Sequence, residues 1–465
     1  MFLTGPSSIP RAGTGASDHS CHEEFMKPLR TALLLLVLGL GAWGVVLARG
    51  ELRVVVGYSA KQLCSGAFIS GLSEAFLIET DILPRLAILG PARSWLSLRA
   101  DRSAGFAEAS LLGLHARAVH TGSRGCVLHA ELPGTEPNPI AEAGETVPVP
   151  PVLQAAYEAA FSEPAAAGRN TLAVLVSQHG QLIAEQYREP IGATTPMQGW
   201  SMNKSLMVTW IGMQAEAGRL DPTRRVADLD PSIPVDSATT IGVDERLTLL
   251  HLLQMESGLD FAEIYGPGSD VTKMLYRSDT MWTVPAGVGQ EFAPGQRFAY
   301  SSGDTVLASH LWQQSLDEPY ERWIETNFSA PLGIASLVAE SDASGTQVGS
   351  SYTYMTARDW LRVGQLWLDA WHGRSELMSQ AWLRASVSAR PSDRRGRYGR
   401  GFWLNTGGVA FAGLPENLFF ASGNSGQYVV VVPEWELVVV RLGLTGAMSR
   451  SGIGDFLGAL AGLRR

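Results

Sequence analysis

A serine and a lysine stand three positions apart in the middle of the chain, at Ser201 and Lys204. From Leu206 onward, apolar residues recur three and four positions apart, which predicts a buried helix that ends at Gly218. Ser201 then lies in the first turn, and Lys204 lies one turn further on the same face. A serine hydroxyl is a good nucleophile only when a neighbouring base takes its proton, and lysine can be that base when burial disfavours its charged form. The pair therefore predicts acyl chemistry, in which the amides at the helix N-terminus stabilise a developing oxyanion.

The residue type is more informative here than the spacing. The chain contains four lysines, Lys27, Lys61, Lys204 and Lys273, and its other basic residues are arginines. Chance gives roughly 0.3 matches to serine-x-x-lysine in a chain with so few lysines, so the match alone is weak. Arginine keeps its proton and cannot serve as a base. A chain that otherwise uses arginine thus carries lysine where the difference matters.

Composition and charge exclude several other functions. A chain of 465 residues, 45% of them hydrophobic, is long enough for two or three domains with a sizeable core. The net charge of −9 argues against nonspecific binding to nucleic acid. There is no H-E-x-x-H motif and no close cluster of cysteine and histidine, so we expect neither a metal nor a cofactor.

An uncharged apolar run covers residues 31–48 and follows the basic residues Lys27 and Arg30. This order is typical of an export signal, and the run is also long enough to remain as a membrane anchor. Residues 1–30 are predicted to be a disordered N-terminus. The catalytic part would then lie outside the cytoplasm, periplasmic or anchored to the inner membrane, with a membrane contact through this segment if it is not cleaved.

Two cysteines, Cys64 and Cys126, follow the apolar run, and Cys21 precedes it. Export would place the two later cysteines in an oxidising compartment, where a disulfide between them would close an N-terminal subdomain over residues 52–130. Two independent buried thiols are the alternative. Within this subdomain, Arg53–Gly57 is predicted to be a strand.

Residues 152–465 are predicted to form the catalytic domain, after a linker at 131–151 that is rich in proline, glycine and glutamate. Strand patterns occur at both ends of this domain. The predicted strands are Thr171–Gln178, Gln181–Tyr187, Leu418–Ala421, Gln427–Val432 and Leu437–Leu442. Helical patterns fill the middle, so we expect an α+β fold in which helices flank an antiparallel sheet and a helical lobe is inserted.

Four stretches carry a nucleophile, a helix end, a turn or a strand in a fixed order. They are Gly199–Ser205, Leu247–Leu259, Phe292–Ser302 and Ala421–Gln427. In this order they resemble the serine β-lactamase and penicillin-recognising family, nearest to class C β-lactamase-like enzymes, esterases and 6-aminohexanoate-dimer hydrolases. The resemblance covers roughly residues 152–450. It implies a β-lactamase/transpeptidase-like fold and a serine hydrolase that cleaves a small-molecule ester or amide through an acyl-enzyme.

The resemblance also implies roles for the residues around Ser201. Ser201 would be acylated, and Lys204 would be its general base. Tyr300, just before a predicted helix, matches a tyrosine that takes part in proton transfer to the leaving group. Ser302 stands where the family often has asparagine, and its hydroxyl would still hydrogen-bond to substrate or to Lys204.

The predicted strand Ala421-Ser422-Gly423 matches the strand that lines the family's cleft. The backbone amides of Ser201 and Asn424 would form the oxyanion hole. Ala421 departs from the pattern, because β-lactamases and transpeptidases carry a cationic or imidazole side chain there to bind the substrate carboxylate. A neutral ester or linear amide therefore fits better, although an arginine from elsewhere in the chain could supply the charge.

Three other functions stay open at this point. A β-lactamase or D-alanyl-D-alanine carboxypeptidase would use the same chemistry. A non-catalytic envelope protein could keep the fold for binding, although binding does not need an activated serine. A Ser-His-Asp hydrolase is suggested by Gly423–Gln427, which nearly matches G-x-S-x-G but lacks the last glycine and lies between two strands.

Overall fold

We describe a computed structural model of the chain over residues 49–130, 144–163, 168–235, 241–266, 268–446 and 449–463. The predicted disordered N-terminus, the apolar run at 31–48 and Cys21 lie outside these residues. Within them, no helix has the length and apolar character needed to cross a membrane. The residues from Arg53 onward form one compact unit.

All strand pairs in the three sheets of the described chain are antiparallel. The helices are α1 (49–68), α2 (Glu74–Leu77), α3 (Leu83–Arg85), α4 (Pro151–Phe161), α5 (Asn203–Glu216), α6 (Val226–Leu229), α7 (Leu249–Leu253), α8 (Asp270–Arg277), α9 (Thr283–Gly287), α10 (Ser302–Gln314), α11 (Tyr320–Ile324), α12 (Ala330–Leu332), α13 (Ala357–Trp371), α14 (Gln380–Ser386) and α15 (Ile453–Gly462). The strands are β1 (Ser97–Asp101), β2 (Phe106–Leu111), β3 (Leu114–His120), β4 (Cys126–Leu128), β5 (Thr171–Gln178), β6 (Gln181–Tyr187), β7 (Met197–Gln198), β8 (Val338–Ala339), β9 (Thr353–Met355), β10 (Trp403–Leu404), β11 (Phe419–Gly423), β12 (Gln427–Val432) and β13 (Leu437–Gly443).

The largest described sheet has six strands in the order β10-β11-β12-β13-β5-β6. Its middle strands are buried on both faces, because helices cover both sides. On one face, α13 approaches so closely that a Cβ on Gly364 would lie 2.4 Å from a Val438 methyl group. On the other face, α4 and α15 pack together, with the rings of Tyr157 and Phe456 5.2 Å apart. Strands from both ends of the catalytic region share this sheet, which confirms the expected α+β arrangement.

The inserted helical lobe packs around α5 and α10. The ring of Trp210 on α5 stacks on Trp312 of α10 at 5.4 Å and meets Phe328 edge-on at 5.7 Å. These aromatic side chains are fully buried. Because α5 lies between the lobe and the sheet, most of its residues are buried, and its polar residues at the N-terminal end are enclosed with them.

The N-terminal segment, residues 49–130, begins with a helix where a strand was expected. The run Val54-Val55-Val56 has strand propensity, but it belongs to α1, so the prediction of a strand at Arg53–Gly57 was wrong. Ala60, Cys64 and Ala67 lie on one face of the helix and are fully buried. The packing of this face overrides the local strand propensity. The predicted disulfide is present: Cys64 bonds to Cys126, with 5.9 Å between the Cα atoms, and joins α1 to β4.

A buried ion pair attaches α1 to the later part of the chain. Lys61 Nζ lies 2.6 Å from Glu340 Oε2, and both side chains are at most 2% exposed. Glu340 Oε1 accepts hydrogen bonds from Ser65 Oγ at 2.8 Å and from the Cys126 amide at 2.7 Å. Burial lowers the pKa of Lys61 and raises the pKa of Glu340, so each charge depends on the other. The pair thus fixes α1, β4 and the residues after β8 relative to one another.

Candidate active site

A sharp backbone turn presents Ser201 at the start of α5. Ser201 lies in a 3₁₀ turn over Trp200–Met202, and Trp200 before it has a φ of +51°. That φ is uncommon for a residue with a side chain. Gly199 allows the approach, because a Cβ there would lie 2.2 Å from the ring of Trp360. The Gly199 amide also donates to Thr353 O at 2.8 Å, which ties the turn to β9.

Lys204 lies at the centre of the predicted catalytic residues. Its amine is 3.2 Å from Ser201 Oγ and 3.0 Å from Ser302 Oγ, and it lies 3.5 Å from Ser350 O. The residue is 1% exposed, so these protein groups replace water around the amine. The ring of Tyr300 lies 4.7 Å from the amine, which adds a cation–π contact when the amine is charged. The structure therefore brings Ser201, Lys204, Tyr300 and Ser302 together.

Sequence reasoning missed a carboxylate that completes this group. Glu263 accepts hydrogen bonds from the amide and from the hydroxyl of Ser302, both at 2.7 Å. A hydroxyl has a single proton, so Ser302 Oγ that donates to Glu263 must accept from Lys204. Glu263 thereby orients one N–H of the Lys204 amine toward Ser302, while another side of the amine faces Ser201 Oγ. No spacing rule links a loop residue at 263 to a helix start at 302, so the sequence held no signal for this contact.

Tyr300 forms an aromatic wall beside the amine. Its ring lies 5.7 Å from Tyr398 and 5.3 Å from Trp403. Among the described residues, no hydrogen bond joins the Tyr300 hydroxyl to Ser201 or Lys204. Tyr300 is thus placed in the site, whereas its part in proton transfer stays a prediction.

The end of β11 lies against the nucleophile turn. A Cβ on Gly423 would lie 2.1 Å from Gly199 O and 3.1 Å from Trp200 Cβ, so glycine is needed for this contact. Ala421 is fully buried, Ser422 is half-buried and pairs with Tyr428, and Asn424 begins the turn into β12. β11 is therefore placed as a wall next to Ser201, and the oxyanion role of the Ser201 and Asn424 amides stays a prediction.

Asp304 lies in the first turn of α10, two residues after Ser302. It is fully buried and accepts a hydrogen bond from Ser257 Oγ at 2.9 Å. Burial raises the pKa of this carboxyl to about 7, and the neighbouring charge of Glu263 adds to the shift. Asp304 is therefore protonated in the folded protein over a pH range in which an unfolded chain would be ionised.

The free energy of unfolding is expected to depend on pH through Asp304. The pKa of an aspartate in an unfolded chain is about 4. Between about pH 4 and pH 7 the folded protein therefore holds a proton on Asp304 that the unfolded chain has lost, and the free energy of unfolding falls as pH rises. The slope contributed by this group is at most about 1.4 kcal/mol per pH unit. Asp304→Asn imitates the neutral acid, so it should remove this slope in urea unfolding measured across the same range. Asp317→Asn is the matched control, because that side chain is 88% exposed. Parallel profiles for the wild type and both variants would contradict the expectation.

Comparisons with known proteins identify the family and the fold. Residues 156–446 match the model of the Beta-lactamase family. A 6-aminohexanoate-dimer hydrolase of Paenarthrobacter ureafaciens is 24% identical over 300 residues, which cover 58% of this chain and 72% of that protein. Two solved structures share the fold: a penicillin-binding protein homologue from Caulobacter crescentus and a family VIII carboxylesterase. Each has 16% identity and a TM-score of 0.53, and each alignment covers 68% of this chain and 98% of the other.

These matches confirm the expected β-lactamase/transpeptidase-like fold. They leave the N-terminal segment before residue 156 outside the family model. Since that model spans well over half of the sequence, the chain belongs to the beta-lactamase family of hydrolases.

Proposed function

We propose that the protein is a serine hydrolase that cleaves an ester or a linear amide through an acyl-enzyme on Ser201. The observation that carries this proposal is the 3.2 Å contact between Ser201 Oγ and the buried amine of Lys204. The hydroxyl and the amine meet at the turn in which Trp200 has a positive φ, next to the end of β11. A purely structural role for the pair would not need such a backbone conformation. Catalysis by a serine nucleophile needs such a base next to the hydroxyl.

In the proposed reaction, Lys204 takes the Ser201 proton as Oγ attacks the substrate carbonyl carbon. The carbonyl oxygen becomes an oxyanion next to the Ser201 amide and the end of β11, where backbone N–H groups can stabilise it. The proton on Lys204 then passes to the leaving oxygen or nitrogen, directly or by way of Tyr300, and the acyl-enzyme forms. A water molecule attacks this ester in the second half, gives its proton to Lys204, and releases the acid while Ser201 regains its proton.

The substrate class follows from the strand that lines the cleft. Ala421 brings no cation to the position where a β-lactamase or a D-alanyl-D-alanine carboxypeptidase would use one. This supports a linear ester or amide over a β-lactam, in line with the amide named for the Paenarthrobacter relative. A non-catalytic binding protein with this fold is the remaining candidate, and the hydrogen-bonded Ser201–Lys204 pair weighs against it.

Intact-mass spectrometry tests the proposal. The purified protein is incubated with 4-nitrophenyl acetate and, separately, with benzylpenicillin, beside Ser201→Ala and the control Ser315→Ala. Ser315 bonds to Trp312 O at the far end of α10. We expect acetyl adduct or ester turnover in the wild type and in the control but not in Ser201→Ala. An adduct from penicillin would favour the β-lactam reaction, and a folded protein without adduct or turnover would favour the binding protein.

We also propose that the catalytic part lies outside the cytoplasm. The Cys64–Cys126 disulfide supports this, because such bonds persist in oxidising compartments. The apolar run at 31–48 would supply the signal or the anchor. N-terminal sequencing of the native protein tests the proposal: a start beyond residue 48 indicates cleavage, and a cytoplasmic protein with free thiols would contradict it.

A further inference from the structure

The N-terminal segment brings an arginine to the nucleophile turn. Arg85 ends α3, and its guanidinium lies over the ring of Trp200 at 5.0 Å. One Nη2 N–H donates to Ser425 Oγ, and Nε donates to Asp81 Oδ1 at 2.7 Å. The side chain is 24% exposed, and its guanidinium forms an ion pair with the Asp81 carboxylate.

Arg85 contacts Trp200 and Ser425, and both lie close to the proposed nucleophile. Trp200 directly precedes Ser201, and Ser425 follows Asn424 in the turn after β11. These two backbone segments touch each other, because Gly423 packs on Gly199 O. The guanidinium of Arg85 therefore lies beside the turn that carries Ser201, although its own segment is outside the family model.

The hydrogen bonds of Arg85 leave an edge available. A guanidinium carries five N–H groups, and the described residues accept from two of them. Asp81 holds the Nε side and so fixes the plane of the group, while the Nη1 N–H groups have no acceptor in the described residues. A carboxylate can accept two parallel hydrogen bonds from N–H groups on two neighbouring guanidinium nitrogens, here Nη1 and the second N–H of Nη2, which a lysine cannot imitate.

We propose that Arg85 binds a carboxylate of the substrate and thereby selects anionic esters or amides. It would supply from the N-terminal segment the charge that Ala421 does not bring. This inference rests on the proposed hydrolysis at Ser201 and adds a specificity-determining residue to it. The competing explanation is that Arg85 only fastens the N-terminal segment to Trp200 and Ser425.

Matched esters separate the two explanations. The neutral substrate is 4-nitrophenyl hexanoate. Mono-4-nitrophenyl adipate carries a carboxylate at the end of an acyl chain of the same length, and 3-carboxyphenyl hexanoate carries one on the leaving group. The variants are Arg85→Gln, Arg85→Lys and the control Arg102→Gln, whose arginine holds the N-terminal segment by donating to Ala67 O and Leu72 O at 2.9 Å.

We expect Arg85→Gln to lower kcat/KM for at least one anionic ester by about tenfold or more, mainly through KM, and to change the neutral ester by less than about twofold. Arg85→Lys should recover part of the loss, since it restores the charge without the planar edge. Arg102→Gln should affect neutral and anionic esters alike. Equal losses for all three esters in Arg85→Gln would identify a fastening role and overturn the proposal.

A binding measurement keeps this test independent of hydrolysis. Ser201→Ala is titrated by calorimetry with monomethyl adipate, an anion, and with neutral dimethyl adipate, with and without Arg85→Gln. Binding of the anion that is lost with Arg85→Gln supports the carboxylate site even if no ester is turned over, in which case only the proposed reaction fails. Absence of anion binding, or binding that does not depend on Arg85, overturns the inference.

Discussion

Replacement of Lys204 by arginine is expected to lower kcat/KM for 4-nitrophenyl hexanoate by about 10³-fold or more. Arginine has a stem of similar length and carries the positive charge that Lys204 would gain in the reaction, but it cannot take the proton from Ser201 Oγ, which lies 3.2 Å from the lysine amine. The contact with Ser302 Oγ at 3.0 Å could still be made by a guanidinium. The loss would therefore report the missing base and not a missing charge.

The control for this substitution is Lys273→Arg. Lys273 lies on the exposed side of α8, pairs with Asp270 at 3.4 Å and is 41% exposed, so the same change there should leave kcat/KM within about twofold. Circular dichroism and thermal melting would verify that both variants fold. Activity of Lys204→Arg within about tenfold of the wild type would show that another group takes the proton.

Substitution of Lys61 by methionine is expected to lower the free energy of unfolding by about 3–5 kcal/mol. Methionine fills the space of the side chain, but it leaves the Glu340 carboxylate buried without its partner at 2.6 Å. Burial already raises the pKa of Glu340, so the unpaired carboxylate would take up a proton. The neutral acid costs less free energy to bury than the carboxylate, which limits the loss of stability. The folded variant would hold a proton on Glu340 that the unfolded chain releases. A rise in pH therefore favours the unfolded chain, and the destabilisation should grow with pH.

Urea unfolding with and without a second substitution measures this effect. Lys61→Met with Glu340→Gln removes both charges and should recover much of the loss, because no unpaired ion remains. Lys273→Met is the matched surface control and should stay within about 0.5 kcal/mol of the wild type. A Lys61→Met protein as stable as that control would mean that the pair is not buried in solution.

The hairpin of β5 and β6 shows which parts of the fold could be predicted. Its two strands run over the predicted residues, Thr171–Gln178 and Gln181–Tyr187, because a strand pattern and a turn agree there. The turn residues His179 and Gly180 have φ values of +50° and +76°, which suits a tight connection between strands. At Arg53–Gly57 the local strand propensity conflicts with the helical spacing of the buried residues in 49–68. The run is helical because the whole of α1 packs through that buried face.

The candidate site divides in the same way. The contact between Ser201 and Lys204 follows from helix spacing, so the sequence was sufficient for it. Glu263 contacts Ser302 from a loop, and Arg85 contacts Trp200 and Ser425 from a segment outside the family model. Such contacts depend on how distant elements pack, and they leave no periodic signal in the sequence. A local motif was therefore enough to predict the serine–lysine pair, whereas the contacts of Glu263 and Arg85 are visible only in the folded structure.

Strand β5 leaves the ribosome long before its partner β13. Gln178 pairs with Leu437, roughly 260 residues later in the chain, and synthesis of that length takes about 10–50 s at roughly 5–20 residues per second. Until then the backbone N–H and C=O groups on the β13 side of β5 are unpaired, and the β11–β12 hairpin that packs on Gly199 is not complete. A nascent chain thus carries Ser201 and Lys204 early but gains its cleft wall only near the end of translation. Through that interval, the open edge of β5 is the surface that a chaperone or a second nascent chain would meet.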